Sequence, residues 1–253
     1  MRTLICCSTW PHNLVIAILA LGLSGPLAAA PAEIKVFTDE VAAPGEHTLE
    51  THVNKATGGA AAENRDRPLQ VMPEYSYGLR PNWEVSLQLP MSFAGDASRL
   101  AGYRAELQYI SPHDAEQGLY WGINLELARI DPQDEPSFWN AELIPILGYR
   151  AGRWHLVANP GIDKAVSGAT RTVNFEPSVK AAYRVEGRNF VGLEYYVDAG
   201  PLRHRLPARE QDRVLYAAWD GRLGKADFNV GVGRGLTDVS DRWVVKAIFE
   251  FAF

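Results

Sequence analysis

The sequence has only two cysteines, Cys6 and Cys7, and both precede its first apolar run. The rest of the chain therefore has no disulfide, no thiolate metal ligand and no thiol nucleophile. Long helical periods are missing, and so are low-complexity blocks. The nearest to biased sequence is TGGAAAEN, Thr57 to Asn64, which reads as a loop. No phosphate-binding loop, dinucleotide fingerprint, HExxH pair or EF-hand loop occurs. Basic residues are outnumbered, with 25 Lys and Arg against 30 Asp and Glu. That balance speaks against nucleic acid as a partner.

One apolar run is present, NLVIAILALGLSGPLAAA from Asn13 to Ala30, with Arg2 before it and no acid within it. This is the layout of a secretory signal peptide. Gly25-Pro26 interrupts it short of the ~20 residues of a spanning helix. Small residues permit cleavage after Ala30 or Ala32. A proline after the cut is unfavourable, so residues 1–32 are expected to be removed. The mature chain then begins at Glu33 and carries a net charge of −6, since Arg2 is the only charge lost. Neither cysteine follows the apolar run, so no lipoprotein site is expected.

The remaining chain alternates. WEVSLQL sets Trp83, Val85, Leu87 and Leu89 against Glu84, Ser86 and Gln88. WGINLEL sets Trp121, Ile123, Leu125 and Leu127 against Gly122, Asn124 and Glu126. A period of two places such sets on opposite faces of a strand. The pattern recurs over twelve spans: 47–54, 68–77, 82–92, 102–110, 118–130, 137–149, 153–164, 172–184, 189–200, 212–220, 225–234 and 241–253. Most reach the ~9–11 residues that a tilted strand needs to cross a bilayer. Tight connections (78–81, 151–152, 185–188, 221–224) alternate with longer ones (55–67, 93–101, 131–136, 165–171, 201–211). The expected fold is all-β: an antiparallel up-and-down transmembrane barrel of about twelve strands over residues 47–253, with ten or fourteen as alternatives. A periplasmic N-terminal segment, 33–46, precedes it. One periplasmic turn, Ser111 to Gln117, is longer than the scheme prefers. A soluble sandwich would use strands of five or six residues.

Four hairpins echo one another: YGLRPNWEVSL, YRAGRWHLVA, YRVEGRNFVGL and DGRLGKADFNV. Each turns through Gly and a base and restarts on an aromatic or apolar residue. Tyr77, Trp83, Tyr149, Trp154, Tyr183 and Phe190 are expected to form an aromatic girdle at interface height.

The chain closes on RWVVKAIFEFAF. This strand resembles the C-terminal signature by which bacterial outer-membrane barrels are recognised by the barrel-assembly machinery. Lys246, Phe251 and Phe253 match its polar and terminal aromatic positions, with Ile248 where the signature prefers glycine. PEYSYGLRPNWEVSLQLP (Pro73 to Pro90), LPAREQ (Leu206 to Gln211) and VGVGRGLTDVSDRWVVKAIFEF (Val230 to Phe251) are similar to proteobacterial barrels of the transporter-like, phenol-degradation-pathway family. The resemblance implies the bacterial outer membrane, with lipids and lipopolysaccharide as surroundings and a small solute as cargo.

The face expected to line the lumen gathers Glu50, His52, Glu74, Glu84, Arg104, Glu106, Glu126, Glu142, His155, Glu176, Lys180, Glu194, Asp198, Lys246 and Glu250. Unpaired charges in a dry interior are costly. Two readings stay open: a wet, acidic pore that passes small polar solutes or cations, or a packed polar core that holds a structural barrel shut. A third, an outer-membrane lipid hydrolase, needs a nucleophile beside a base. Ser86, Ser92, Ser111, Ser167 and Ser178 show no fixed spacing to His47, His52, His113, His155 or His204. No catalytic residue, cofactor or metal site is expected. His113 with Asp114 and Glu116 reads as a solvated loop cluster.

Overall fold

In the computed structural model the described residues are 33–58, 67–95, 97–132, 135–168 and 171–253. The expected signal peptide, 1–32, lies outside them. Alternation along the chain becomes fourteen strands: β1 (His47–Thr57), β2 (Leu69–Arg80), β3 (Trp83–Gln88), β4 (Met91–Ala94), β5 (Ala97–Leu100), β6 (Gly102–Ile110), β7 (Gly118–Ile130), β8 (Phe138–Ala151), β9 (Trp154–Ala165), β10 (Val173–Glu186), β11 (Asn189–Asp198), β12 (Asp212–Leu223), β13 (Ala226–Gly235) and β14 (Trp243–Ala252).

Twelve of these, β1 to β3 and β6 to β14, form an antiparallel ring. Strand β1 pairs with β14 from Thr48↔Ala252 to Thr57↔Trp243, and with β2 from His47↔Tyr77 to Asn54↔Gln70. That double pairing closes the barrel and leaves no open edge, the condition for a sheet to cross lipid. The twelve expected spans fall on the twelve ring strands.

One expected span divides. Residues 82–92 were read as a single strand and 93–101 as a loop. Strand β3 instead stops at Gln88, because Leu89-Pro90 follows and proline has no N–H for the ladder. Strand β2 then pairs with β4 (Leu69↔Phe93 to Val71↔Met91), and β4 turns back into β5. This hairpin stands outside the ring.

The two faces differ in a way water would not tolerate. Leu87, Leu125, Leu193 and Val245 point outward, each 44–52% exposed. Gln88, Asn124, Glu194 and Lys246 point inward and are at most 1% exposed. Apolar outside and polar inside is the arrangement that hydrocarbon solvates.

Aromatics cluster outside at the short-turn end. Trp83 packs on Tyr109 at 4.8 Å and Trp154 on Tyr183 at 5.1 Å. Arg80 and Arg153 cap Trp83 and Tyr183. Tyr77 packs on His47, which stacks on Phe253. Phe190 departs from the expected girdle. Its strand begins at Asn189, one residue before it, whereas Trp83 and Trp154 are themselves first in their strands. Phe190 therefore shares the inward parity of Glu194. Inside, its ring meets His155 and the Arg184 guanidinium.

Leu87→Arg, Leu125→Arg and Leu193→Arg should each destabilise the folded barrel by about 2–4 kcal/mol where they lie near the midplane. Reversible denaturant unfolding in lipid vesicles measures this. A cost near zero at all three would contradict a lipid-facing exterior.

Candidate functional site

The lumen is occupied by the chain's own N-terminal segment. Residues 33–44 have no regular hydrogen-bonding pattern, yet Ile34, Val36 and Phe37 are buried. The segment expected on the periplasmic side thus runs up into the barrel. It enters over Gly78, whose N–H bonds Glu46 O and whose carbonyl accepts from Gly45 N. A Cβ at Gly78 would lie 2.0 Å from the Ala43 carbonyl oxygen, so only glycine lets the chain pass.

An irregular backbone inside a barrel has no ladder, and its polar groups must be met by side chains. Asn159 answers both groups of Phe37, accepting from its N–H at 2.8 Å and donating to its carbonyl at 3.1 Å. Ala42 N–H donates to Glu84, Gln108 donates to Glu40 O, and Lys246 donates to Ile34 O. The apolar side chains of Val36 and Phe37 join Ile110, Tyr120, Ile144, Ile146 and Val157 in one cluster. Tyr120 fits there because its ring lies over Gly148, where a Cβ would come within 1.8 Å of it.

Charges anchor the segment at both ends. Deep in the lumen Glu33 pairs with Arg104 at 3.0 Å, and Arg104 also reaches Glu126 at 3.4 Å. Lys35 pairs with Glu50 at 2.8 Å, and Glu50 with His52 at 2.6 Å. Near the mouth Asp39 takes a forked pair from Arg150, at 3.0 and 2.6 Å. His113 meets the same carboxylate at 2.9 Å. The overlong turn 111–117 is what carries His113 to it. On the far wall Glu194 gathers Lys246, Lys180 and the Tyr196 hydroxyl, and Lys180 reaches Asp220.

Among the residues expected to line the lumen, Glu50, His52, Glu74, Glu106, Glu126, His155, Lys180, Glu194 and Lys246 are buried there. Glu84, Arg104, Glu142 and Glu250 are half-buried on the same face. Glu176 and Asp198 are exposed and border a cavity toward the long-loop end. Asp39, Arg150, His113 and Tyr120 were not singled out as lumen residues. Arg150 shares its parity with Ile146 and Gly148, so alternation alone placed it inward.

The segment separates two cavities and lines both. One, of about 480 Å³, opens toward the short turns and is bordered by Glu46, Arg222 and Glu250. The other, of about 220 Å³, is bordered by Glu176, Asp198 and Asp241. The hydroxyl of each serine weighed as a nucleophile bonds a group other than histidine. Ser86 bonds Ser76, Ser92 bonds Gln70 and Ser178 bonds Asn159. Ser111 and Ser167 accept from backbone N–H groups.

The mouth anchor depends on pH. Burial alone raises the Asp39 carboxyl, but the Arg150 bonds and charge, with His113, outweigh it and hold it below its ordinary 3.8. A lowered pKa stabilises the anchored state above the free value and loses that stabilisation as pH falls through the lowered one. The segment should therefore be held at neutral pH and loosen in strong acid. Asp39→Asn should loosen it at neutral pH by about 1.5–3 kcal/mol. Residues 33–253 hold no cysteine, so in a chain of those residues a Val36→Cys probe reports release by thiol labelling. Asp39→Asn should speed labelling roughly tenfold to a hundredfold. An unchanged rate would show that Asp39 does not hold the segment.

Comparison with protein-family models and with curated proteins gives no match. Among solved structures the chain resembles an outer membrane channel from Pseudomonas putida F1, with a TM-score of 0.59 and 12% identity over 87% of this chain and 100% of that one. LpxR from Salmonella typhimurium aligns with a TM-score of 0.48 and 10% identity, over 81% of this chain and 99% of that one. An anion-selective porin from Comamonas acidovorans aligns with a TM-score of 0.36 and 9% identity, over 82% and 98%. Identities this low speak to fold, and the fold is a closed twelve-strand antiparallel barrel of the bacterial outer-membrane kind.

Proposed function

We propose that the protein is an outer-membrane conduit for small polar solutes, favouring cations, whose lumen its own N-terminal segment closes. The observation that carries this is the two charged cavities that meet at that segment. Eleven carboxylates and six Lys or Arg border the larger cavity, and six carboxylates and two bases border the smaller. A wall with that excess of negative charge concentrates cations and repels anions. A purely structural barrel could fill its interior from its own strands, as narrow barrels do. Here a separate, irregular stretch of chain fills it instead.

Planar-bilayer recordings test the reading. The full mature chain should conduct little, and deletion of residues 33–44 should raise its unitary conductance severalfold. In a salt gradient the truncated barrel should show a reversal potential of cationic sign. Glu176→Gln with Asp198→Asn should move that potential toward zero, since both carboxylates are exposed at the cavity rim. A truncated barrel that inserts but does not conduct would establish the structural reading. Anion preference would show that the acidic wall does not set selectivity.

A further inference from the structure

Glu33 stands where the segment meets the wall, near Arg104 and the His52 ring but among carboxylates that outnumber them. Single carboxylate oxygens of Glu33, Glu106 and Glu126 lie within 4.8 Å of one another. Among the described residues, Arg104 is the guanidinium that bonds both Glu33 and Glu126. A Glu33 oxygen also lies within 4.8 Å of a Glu74 oxygen and a His52 ring nitrogen, so four carboxylates face one guanidinium and one imidazole and carry a formal charge of −2 even with His52 protonated. A set of oxygens at that mutual distance can all reach one ion at the 2.3–2.6 Å of calcium coordination.

Unused acceptors point to the same place. Gln88 is fully buried, and its Nε2 donates to Glu74 at 3.1 Å and to Glu106 at 2.5 Å. Asn124 is fully buried too, and its Nδ2 donates to the other Glu106 oxygen at 3.1 Å. With their amides held against this carboxylate, Gln88 Oε1 and Asn124 Oδ1 have no hydrogen-bond partner. Glu33 Oε1 has none either. Buried oxygens are rarely left so. Glu33 belongs to the carboxylate cluster and the two amides bond its Glu106, and acceptors with no donor among the described residues suit a cation. Carboxylates and amide carbonyls are hard ligands, which suit calcium, magnesium or manganese more than zinc or copper.

We propose that Glu33, Glu106 and Glu126, supplemented by the Gln88 and Asn124 carbonyls, bind one hard divalent cation that ties the N-terminal segment to β6 and β7. Glu33 belongs to the segment and the other four to the wall, so the ion bridges the two. It is a second lock at the deep end, remote from the Asp39 anchor at the mouth. Glu33 is retained whether cleavage follows Ala30 or Ala32. That the lock bears on conduction rests on the proposed function; that the site binds an ion does not.

The test uses the full mature chain refolded in detergent free of lipopolysaccharide, stripped with a chelator and dialysed. Calcium titration calorimetry and manganese paramagnetic resonance should each find one ion per chain. Glu33→Gln, Glu106→Gln and Glu126→Gln should each weaken binding at least tenfold, in proteins whose heat-modifiable migration shows a folded barrel. Glu250→Gln, on the same lumen face but outside the cluster, should bind as the unaltered chain does. With Val36→Cys as probe, chelation should speed thiol labelling and calcium should slow it again. No uptake above a buffer blank would overturn the site, as would uptake indifferent to all three glutamine substitutions. Zinc taken up in preference, and lost only with His52, would overturn the choice of hard ligands. Ion uptake with no conductance in any variant would leave the site standing and remove the transport reading instead.

Discussion

A carboxylate enclosed in a narrow barrel is tolerable only with a counter-charge, a donor or water beside it. The interior of this molecule is arranged around that constraint. The wall presents Glu50, Glu74, Glu106, Glu126 and Glu194 as buried groups. Lys180 and Lys246 serve Glu194 from neighbouring strands. Glu50 is served by Lys35, which the wall does not supply. In return, the segment gives Asp39 to Arg150 and Glu33 to Arg104. Wall and segment each complete the other's polar groups. Withdrawing the segment leaves charges on both that only water can then solvate. A lumen built this way must be either occupied or wet, and in this structure the segment occupies it.

The same constraint explains which parts of the structure can be read from sequence. Strand alternation encodes the face of every ring residue, because the period of two is fixed by backbone geometry. Leu125 outward and Glu126 inward follow from neighbouring letters. The failures are places where a one-residue offset or a proline resets that count. Phe190 sits one position into its strand and so falls inside. Pro90 ends a ladder that alternation alone would have continued into β4. The segment was legible only as an exported stretch before the first strand. EIKVFTDE has too few residues to show a period, and its partners are scattered along the chain, from Lys35 with Glu50 to Phe37 with Asn159, 122 positions apart. Such pairings depend on closure of the ring, which local pattern does not carry. Gln88 and Asn124 fell on the correct face, but neutral amides draw no notice until their bonding partners are known.

How the segment is held bears on how it can leave. A strand added to a sheet is fixed by a ladder whose bonds are the same at every pH and in every salt. This segment makes no ladder. Its backbone is met by Asn159, Glu84, Gln108 and Lys246, and its side chains by Glu50, Arg104, Arg150 and His113. Most of these contacts involve a charge, and such contacts respond to protonation and to ions. The apolar hold is confined to Val36 and Phe37 in one cluster and Ile34 in another. Ile34 lies beside the Glu33 anchor, and Val36 and Phe37 lie between Glu33 and Asp39. Charged anchors thus flank the apolar contacts, and both kinds of contact hold the segment. A closure that had only to be permanent would have been built into the sheet. This one is built from ion pairs around a small apolar wedge, and such pairs weaken with protonation and salt.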